Sequence, residues 1–155
     1  MKFTNVLLAS HGTAGAVAAE NVAFDLCEKQ GARLHHFVVV PDFWKGMMGD
    51  DWLNNAVAQI RFGRYVESQL LREIVEHAQK LAGEAERRAI AFNHSFAHGK
   101  PAECLIEAAR AGDYDLVVIG SPRPKGVPGY RSRMATEPLA RGLRVPLLVV
   151  PHPGR

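Results

Sequence analysis

Cysteine is scarce in this chain: Cys27 and Cys104 are the two in 155 residues, and their separation has no metal-type spacing. A disulfide framework and a zinc-ligand pattern are both excluded on that count, and the two thiols read as core residues of helices. Long apolar runs are also missing. Val6-Leu-Leu-Ala9 is too short for the core of a signal peptide, and no segment approaches the roughly 20 apolar residues that cross a bilayer. A cytoplasmic protein with no membrane partner is therefore expected. The chain further lacks a P-loop, a strand-turn-helix Gly-x-Gly-x-x-Gly and a Gly-x-Ser-x-Gly elbow, which removes the commonest NTPases, dinucleotide enzymes and serine hydrolases. It has no internal repeat and no linker-like tract, so residues 1–155 are expected to form one domain.

What remains is the composition of a folded soluble domain, since 47% of residues are hydrophobic and 23% charged. The net charge of +3 is unevenly spread: residues 121–155 carry seven Arg or Lys against Glu137 alone, whereas residues 1–120 carry twelve against fifteen acids. The basic excess thus belongs to the final segment, where it can attract phosphates or acidic groups. Nucleic acid is not the expected partner, because no reading motif accompanies the charge.

Apolar runs and turn residues alternate along the sequence. Val6-Leu-Leu-Ala9 reads as a buried strand, followed by a helix capped by Thr13, with Ala14, Ala18, Val22 and Leu26 at four-residue intervals and Gly31 to end it. A second strand covers residues 34–40 and stops at Pro41. Residues 41–53, with Phe43, Trp44, Met47, Met48 and Trp52 among glycines, have no period and read as a loop that packs on the sheet edge, covers a cleft or meets a partner. Val66, Leu70, Ile74, Ala78, Leu81 and Ala85 mark one face of a long helix, separated at Gly63 from a shorter piece. Residues 89–97 supply a third strand. Pro101 opens a helix, with Glu103 in its first turn, Leu105, Ile106 and Ala109 facing inward and Gly112 ending it.

Two further strands close the chain: Asp115-Leu-Val-Val-Ile-Gly120, and Val145-Pro-Leu-Leu-Val-Val150. Between them lies a loop of Gly, Pro and Arg, then a short helix with Thr136 as N-cap and Pro138 just inside, where the missing N–H costs nothing. Five strands alternating with helices predict an α/β fold with a parallel sheet covered on both faces by right-handed crossovers. In such sheets ligands bind beyond the carboxyl ends of the strands.

The order of elements, Gly99-x-Pro101, Asp113-Tyr-Asp-Leu-Val-Val-Ile-Gly120-Ser121 and the closing Val145-Pro-Leu-Leu-Val-Val150 together resemble the universal stress protein family over nearly the whole chain. The resemblance implies a five-stranded sheet of order 3-2-1-4-5 and a homodimer joined through the edge of the last strand. It implies ATP as the candidate cofactor. The candidate nucleotide or anion cleft in this sequence comprises Ser10, His11, Val38, Gly120, Ser121, Arg123, Gly129, Ser132 and Arg133.

The sequence departs from the family where phosphates are gripped. Nucleotide-binding members have Gly-x2-Gly-x9-Gly-Ser/Thr after strand four, which brings backbone amides and a hydroxyl close to the phosphates. Counted from Gly120, the second glycine is Arg123, the third is Arg133 and the hydroxyl residue is Met134. The acidic residue usual after strand one is His11. The expectation is a non-catalytic stress-response or regulatory protein with weak or absent ATP binding, working through protein partners. The alternative is a nucleotide-binding signalling module in which Arg123, Lys125, Arg131 and Arg133 hold phosphates by their side chains.

An enzyme using Ser10, His11 and Ser121 at the strand ends is a third reading, supported by position alone. The seven histidines read as scattered structural or surface residues and not as a metal site: His94 and His98 in a strand lie roughly 13 Å apart, and His35 and His36 point to opposite faces.

Overall fold

Val6, Leu7 and Leu8 have no solvent exposure at all, so the first strand must be covered on both faces of a sheet. The computed structural model, which describes residues 2–10, 14–40, 56–121 and 136–153, meets that requirement with nine elements in strict alternation. They are β1 (Asn5–Ala9), α1 (Ala14–Gln30), β2 (Arg33–Val40), α2 (Ala56–Arg87), β3 (Phe92–His98), α3 (Pro101–Ala111), β4 (Leu116–Gly120), α4 (Thr136–Gly142) and β5 (Leu147–Val150). All pairings are parallel and the strand order is β3-β2-β1-β4-β5, as the sequence predicts.

Side chains alternate across the strands and divide the core into two layers. Val6, Leu8, Leu34, Leu116 and Val118 pack on one face with Ala19, Ala23, Phe24 and Cys27 of α1 and Leu81 and Ala85 of α2. Leu7, Ala9, Phe37, Val117 and Ile119 pack on the other with Ala102, Leu105 and Ala109 of α3 and Leu139 of α4. Each fully buried aliphatic side chain contributes roughly 1.5–3 kcal/mol, and β1 feeds both layers.

The register of β1 against β4 is fixed by one carboxylate. Asp115 accepts from the Thr4 N–H (2.8 Å), the Thr4 hydroxyl (2.9 Å) and the Asn5 N–H (3.2 Å). Burial works to raise its pKa, but these bonds outweigh it and hold the carboxyl below its ordinary value of 3.8. On the opposite side, Arg88 ties the end of α2 to α1 through Asp25 (2.7 Å) and Glu28 (3.2 Å), with its guanidinium over the Phe24 ring.

Several elements differ in detail from the sequence reading. The α2 backbone runs through Gly63 unbroken, because a single glycine costs only about 1 kcal/mol in a helix of 32 residues. β3 begins at Phe92, three residues later than expected, since residues 88–90 close α2. On α1 the buried stripe is Ala16, Ala19, Glu20, Ala23, Phe24 and Cys27, while Ala18, Val22 and Leu26 are only partly buried at its edge. Cys27 is core as expected, but Cys104 is half-buried; both are free thiols. Thr13 and the Trp/Met loop of residues 41–53 lie outside the described residues.

Helices α1 and α2 end in the same way with different residues. In both, an N–H reaches back five residues, Ala32 to the Cys27 carbonyl (3.0 Å) and Ile90 to the Ala85 carbonyl (2.8 Å). This closure needs a left-handed residue, which is Gly31 (φ 67°) after α1 and Ala89 (φ 56°) after α2. An L side chain pays for that conformation, so Ala89→Gly should raise stability in urea unfolding by about 1 kcal/mol, and Gly31→Ala should lower it by about as much. Equal effects of the same sign would contradict the shared closure.

Asp115→Ala should cost about 1–3 kcal/mol, as it strands N–H groups at the start of β1. Because its folded pKa is depressed, the Asp115 contribution is present above pH 3.8 and lost as pH falls through the lower folded value. The variant should therefore show a shallower loss of stability on acidification than the parent.

Candidate functional site

The strand order places a topological switch point between β1 and β4: one crossover leaves β1 toward β2, and the chain later returns on the other side through β4. Ligands of open α/β sheets bind outside the carboxyl ends of the strands at such a point. The pairs Ala9↔Phe37 and Ala9↔Ile119 put the next residues of β2, β1 and β4 side by side there, namely Val38, Ser10 and Gly120, with Ser121 following. These four candidate residues are brought together at one level of the sheet. His11, Arg123, Gly129, Ser132 and Arg133 lie outside the described residues, as do Lys125, Arg131 and Met134.

The four described candidates are engaged within the fold. Val38 is 2% exposed and packs against Ile74 of α2. The Ser121 N–H donates to the Val150 carbonyl (2.8 Å), which extends the β4–β5 ladder past Gly120↔Val150. Ser10 is also buried, and its hydroxyl lies 2.9 Å from His36 Nε2 and 3.2 Å from Glu20 Oε2. The parity of Val6, Leu8 and Ser10 turns this hydroxyl toward the α1 and α2 layer. Pro138 sits in the first turn of α4, which starts at Thr136 as the helix's first residue.

Ser10 belongs to a polar cluster that sequence reasoning missed. His36 Nδ1 lies 3.0 Å from His94 Nδ1, and His36 Nε2 lies 3.0 Å from the Ser10 carbonyl. His77 Nε2 meets both oxygens of Glu20, at 3.0 and 2.8 Å. Three of the seven histidines, expected to be scattered, are thus gathered with Ser10 and Glu20 within the α1 and α2 layer. The signal was present: Ser10, His36 and His94 each share the strand parity of apolar core residues, and Glu20 falls in line with Ala16, Ala19 and Ala23. His36 and His94 are direct register partners. His35 points to the other face, as expected, and meets the Ser95 hydroxyl at 2.7 Å and the Tyr114 ring edge-on.

Electrostatics set the chemistry these groups can perform. Burial, and then the nearby His77 ring, lowers the His94 pKa; burial, and then His94, lowers that of His35. Burial, with a smaller push from Asp115, raises the Cys27 thiol to about 12, so it stays protonated and is no nucleophile near neutral pH. Among the described residues no three His, Cys, Asp or Glu groups converge as metal ligands, and no helix is long and apolar enough to cross a membrane.

The fold is shared with solved structures of low sequence identity. A universal stress protein family member from Burkholderia pseudomallei aligns over 96% of each chain with 23% identity and a TM-score of 0.63. A universal stress protein in complex with cAMP aligns over 98% of this chain and 99% of its own, with 15% identity and a TM-score of 0.65. A family member from Arabidopsis thaliana with AMP bound aligns over 96% of this chain and 92% of its own, with 8% identity and a TM-score of 0.63. No curated protein sequence matches the chain. The model of the universal stress protein family matches residues 2–151, and with the parallel 3-2-1-4-5 sheet in place, the chain belongs to that family.

Proposed function

We propose that this chain is a non-catalytic, cytoplasmic stress-response or regulatory member of the family, with weak or absent ATP binding. The observation that carries the reading is the sequence after β4, where Arg123, Arg133 and Met134 stand in place of the two glycines and the hydroxyl residue that would approach a triphosphate. Arginine side chains occupy space that backbone amides need at close range. The Ser121 amide, bonded to the Val150 carbonyl, supports the same reading, since it is spent on the sheet.

The absence of catalysis is supported by the Ser10–His36 contact itself. A serine beside a histidine is the start of a nucleophile and base pair, but here His36 Nε2 also meets the Ser10 carbonyl, which only accepts. A ring whose Nε2 carries that proton cannot remove one from the hydroxyl. The other nitrogen of His36 faces His94 Nδ1 at 3.0 Å, an imidazole where a triad has a carboxylate. Both residues are buried, with exposures of 6% and 0%, so a substrate has no approach.

A second reading is favoured by the fold relatives that hold cAMP and AMP, together with the basic excess after residue 120. In it the cleft at Ser10, Gly120 and Ser121 takes a nucleotide whose phosphates are held by Arg123, Lys125, Arg131 and Arg133, with the chain acting as a signalling module. Denaturing the purified protein and assaying the supernatant for nucleotide separates the two. Our reading expects none, and no saturable heat on titration with ATP. A near-stoichiometric nucleotide signal, or ATP affinity lost on neutralising Arg123 and Arg133, would transfer the function to the second reading.

We further infer a homodimer through the edge of β5. This strand ends the sheet, and its Val149 is 37% exposed on an edge whose backbone groups would otherwise face water. Val149→Lys should shift the protein toward monomer in sedimentation velocity, whereas an unchanged sedimentation coefficient would remove that interface.

A further inference from the structure

Ser10, Glu20, His36, His77 and His94 come from the end of β1 and from α1, β2, α2 and β3, yet they form one connected chain of hydrogen bonds. The acceptors decide where the protons sit. The contact of His36 Nε2 with the Ser10 carbonyl (3.0 Å) requires a proton on that nitrogen. A neutral His36 then has a bare Nδ1, and its 3.0 Å contact is made by a proton carried on His94 Nδ1. This leaves His94 Nε2 as a lone pair, and it is buried without a hydrogen-bond partner among the described residues. At the other end of the chain, the Ser10 hydroxyl donates to Glu20, which also accepts from His77.

A further proton on the histidine pair therefore has one place to go, His94 Nε2, where nothing accepts it. The pair is stacked, with ring centroids 5.1 Å apart, and the Phe92 ring also stacks on His36, so both rings are held in place by their neighbours. A still later proton would set one N–H against another at the Nδ1 contact and break it. Among the described residues the groups facing the pair include Ser10 from the end of β1, Glu20 from α1 and His77 from α2; Glu73, Glu76 and Lys80 on neighbouring turns of α2 are exposed. Across the sheet His35 is tied to Ser95. Burial, and then His77, disfavour charge on His94 and outweigh the hydrogen bond with His36, which favours it.

We propose that the five residues form a proton-operated latch, closed while the His36–His94 pair is uncharged and opened by acidification, which releases Ser10 and the carboxyl end of β1 from α1 and β2. The latch goes beyond the functional reading above and does not depend on nucleotide binding. Its position gives it a consequence, because Ser10 stands at the carboxyl end of β1, at the switch point between β1 and β4.

The test is an NMR titration of the isotope-labelled full chain without nucleotide, from about pH 8 to about pH 5, a range that spans histidine ionisation. His94 should titrate below the ordinary histidine range, and the His36 ring resonances and the Ser10 amide should shift with the same midpoint. Independent titration at ordinary values, or a Ser10 amide that stays still while the rings titrate, overturns the proposal. In His94→Gln the side-chain amide still donates to His36 Nδ1 but cannot ionise, so the Ser10 transition should vanish; its persistence overturns the latch. Should that variant fail to fold, His77→Gln removes a group that opposes charge on His94 and should move the transition to higher pH, an unchanged midpoint being the contrary result. Zn(II) added alone should leave both ring titrations unaltered. A saturable shift of both rings would make the cluster a metal site instead.

Discussion

β1 is buried on both faces, and the remaining elements are arranged around that constraint. A strand whose Val6, Leu7 and Leu8 exclude all solvent needs a strand on either side and a helical layer above and below. β2 and β4 supply the sides, α1 with α2 one layer, and α3 with α4 the other. A one-residue slip would draw Asn5 into the hydrophobic stack and break the bonds from Thr4 and Asn5 to Asp115. Register, layering and the switch-point cleft thus share one origin.

The same constraint shapes the candidate site. Since β1 is flanked on both sides, its carboxyl end is the topological switch point and also the place where the core layer of α1 and α2 ends. Ser10 stands at that boundary and is turned inward, toward Glu20 and His36. Buried polar groups are tolerated when they satisfy one another, and four of these five residues meet that condition on every contact described. The orphaned Nε2 of His94 is the exception. On the cleft side, family membership fixes the scaffold, while the sequence from Gly120 to Pro138 determines what the scaffold can hold.

Much of this was legible in the residues. Apolar runs broken by Gly and Pro revealed all five strands, Gly31 and Pro101 marked helix ends through their backbone preferences, and Gly112 marked one because a side chain there would meet the Tyr114 ring. On α1 the strict four-residue steps of Ala18, Val22 and Leu26 mark the edge of the packed face, because 3.6 residues per turn carries the buried stripe to Ala16, Ala19, Ala23 and Cys27. The histidine cluster was hidden for a different reason. Strand parity gives the face of Ser10, His36 and His94, but their contact depends on the register of three strands, and that of Glu20 and His77 on two crossovers. Such distances are set by long-range packing, which no local period encodes.

β1 is the strand on which both layers and the switch point depend. Native-state hydrogen exchange on the full chain at neutral pH tests that dependence most directly. Amides of Val6, Leu7 and Leu8 should exchange only through global unfolding, with the same denaturant dependence as those of Val117 and Val118 and far more slowly than those of the edge strands β3 and β5. Exchange of the β1 amides by local opening, at rates matching the edge strands, would contradict it.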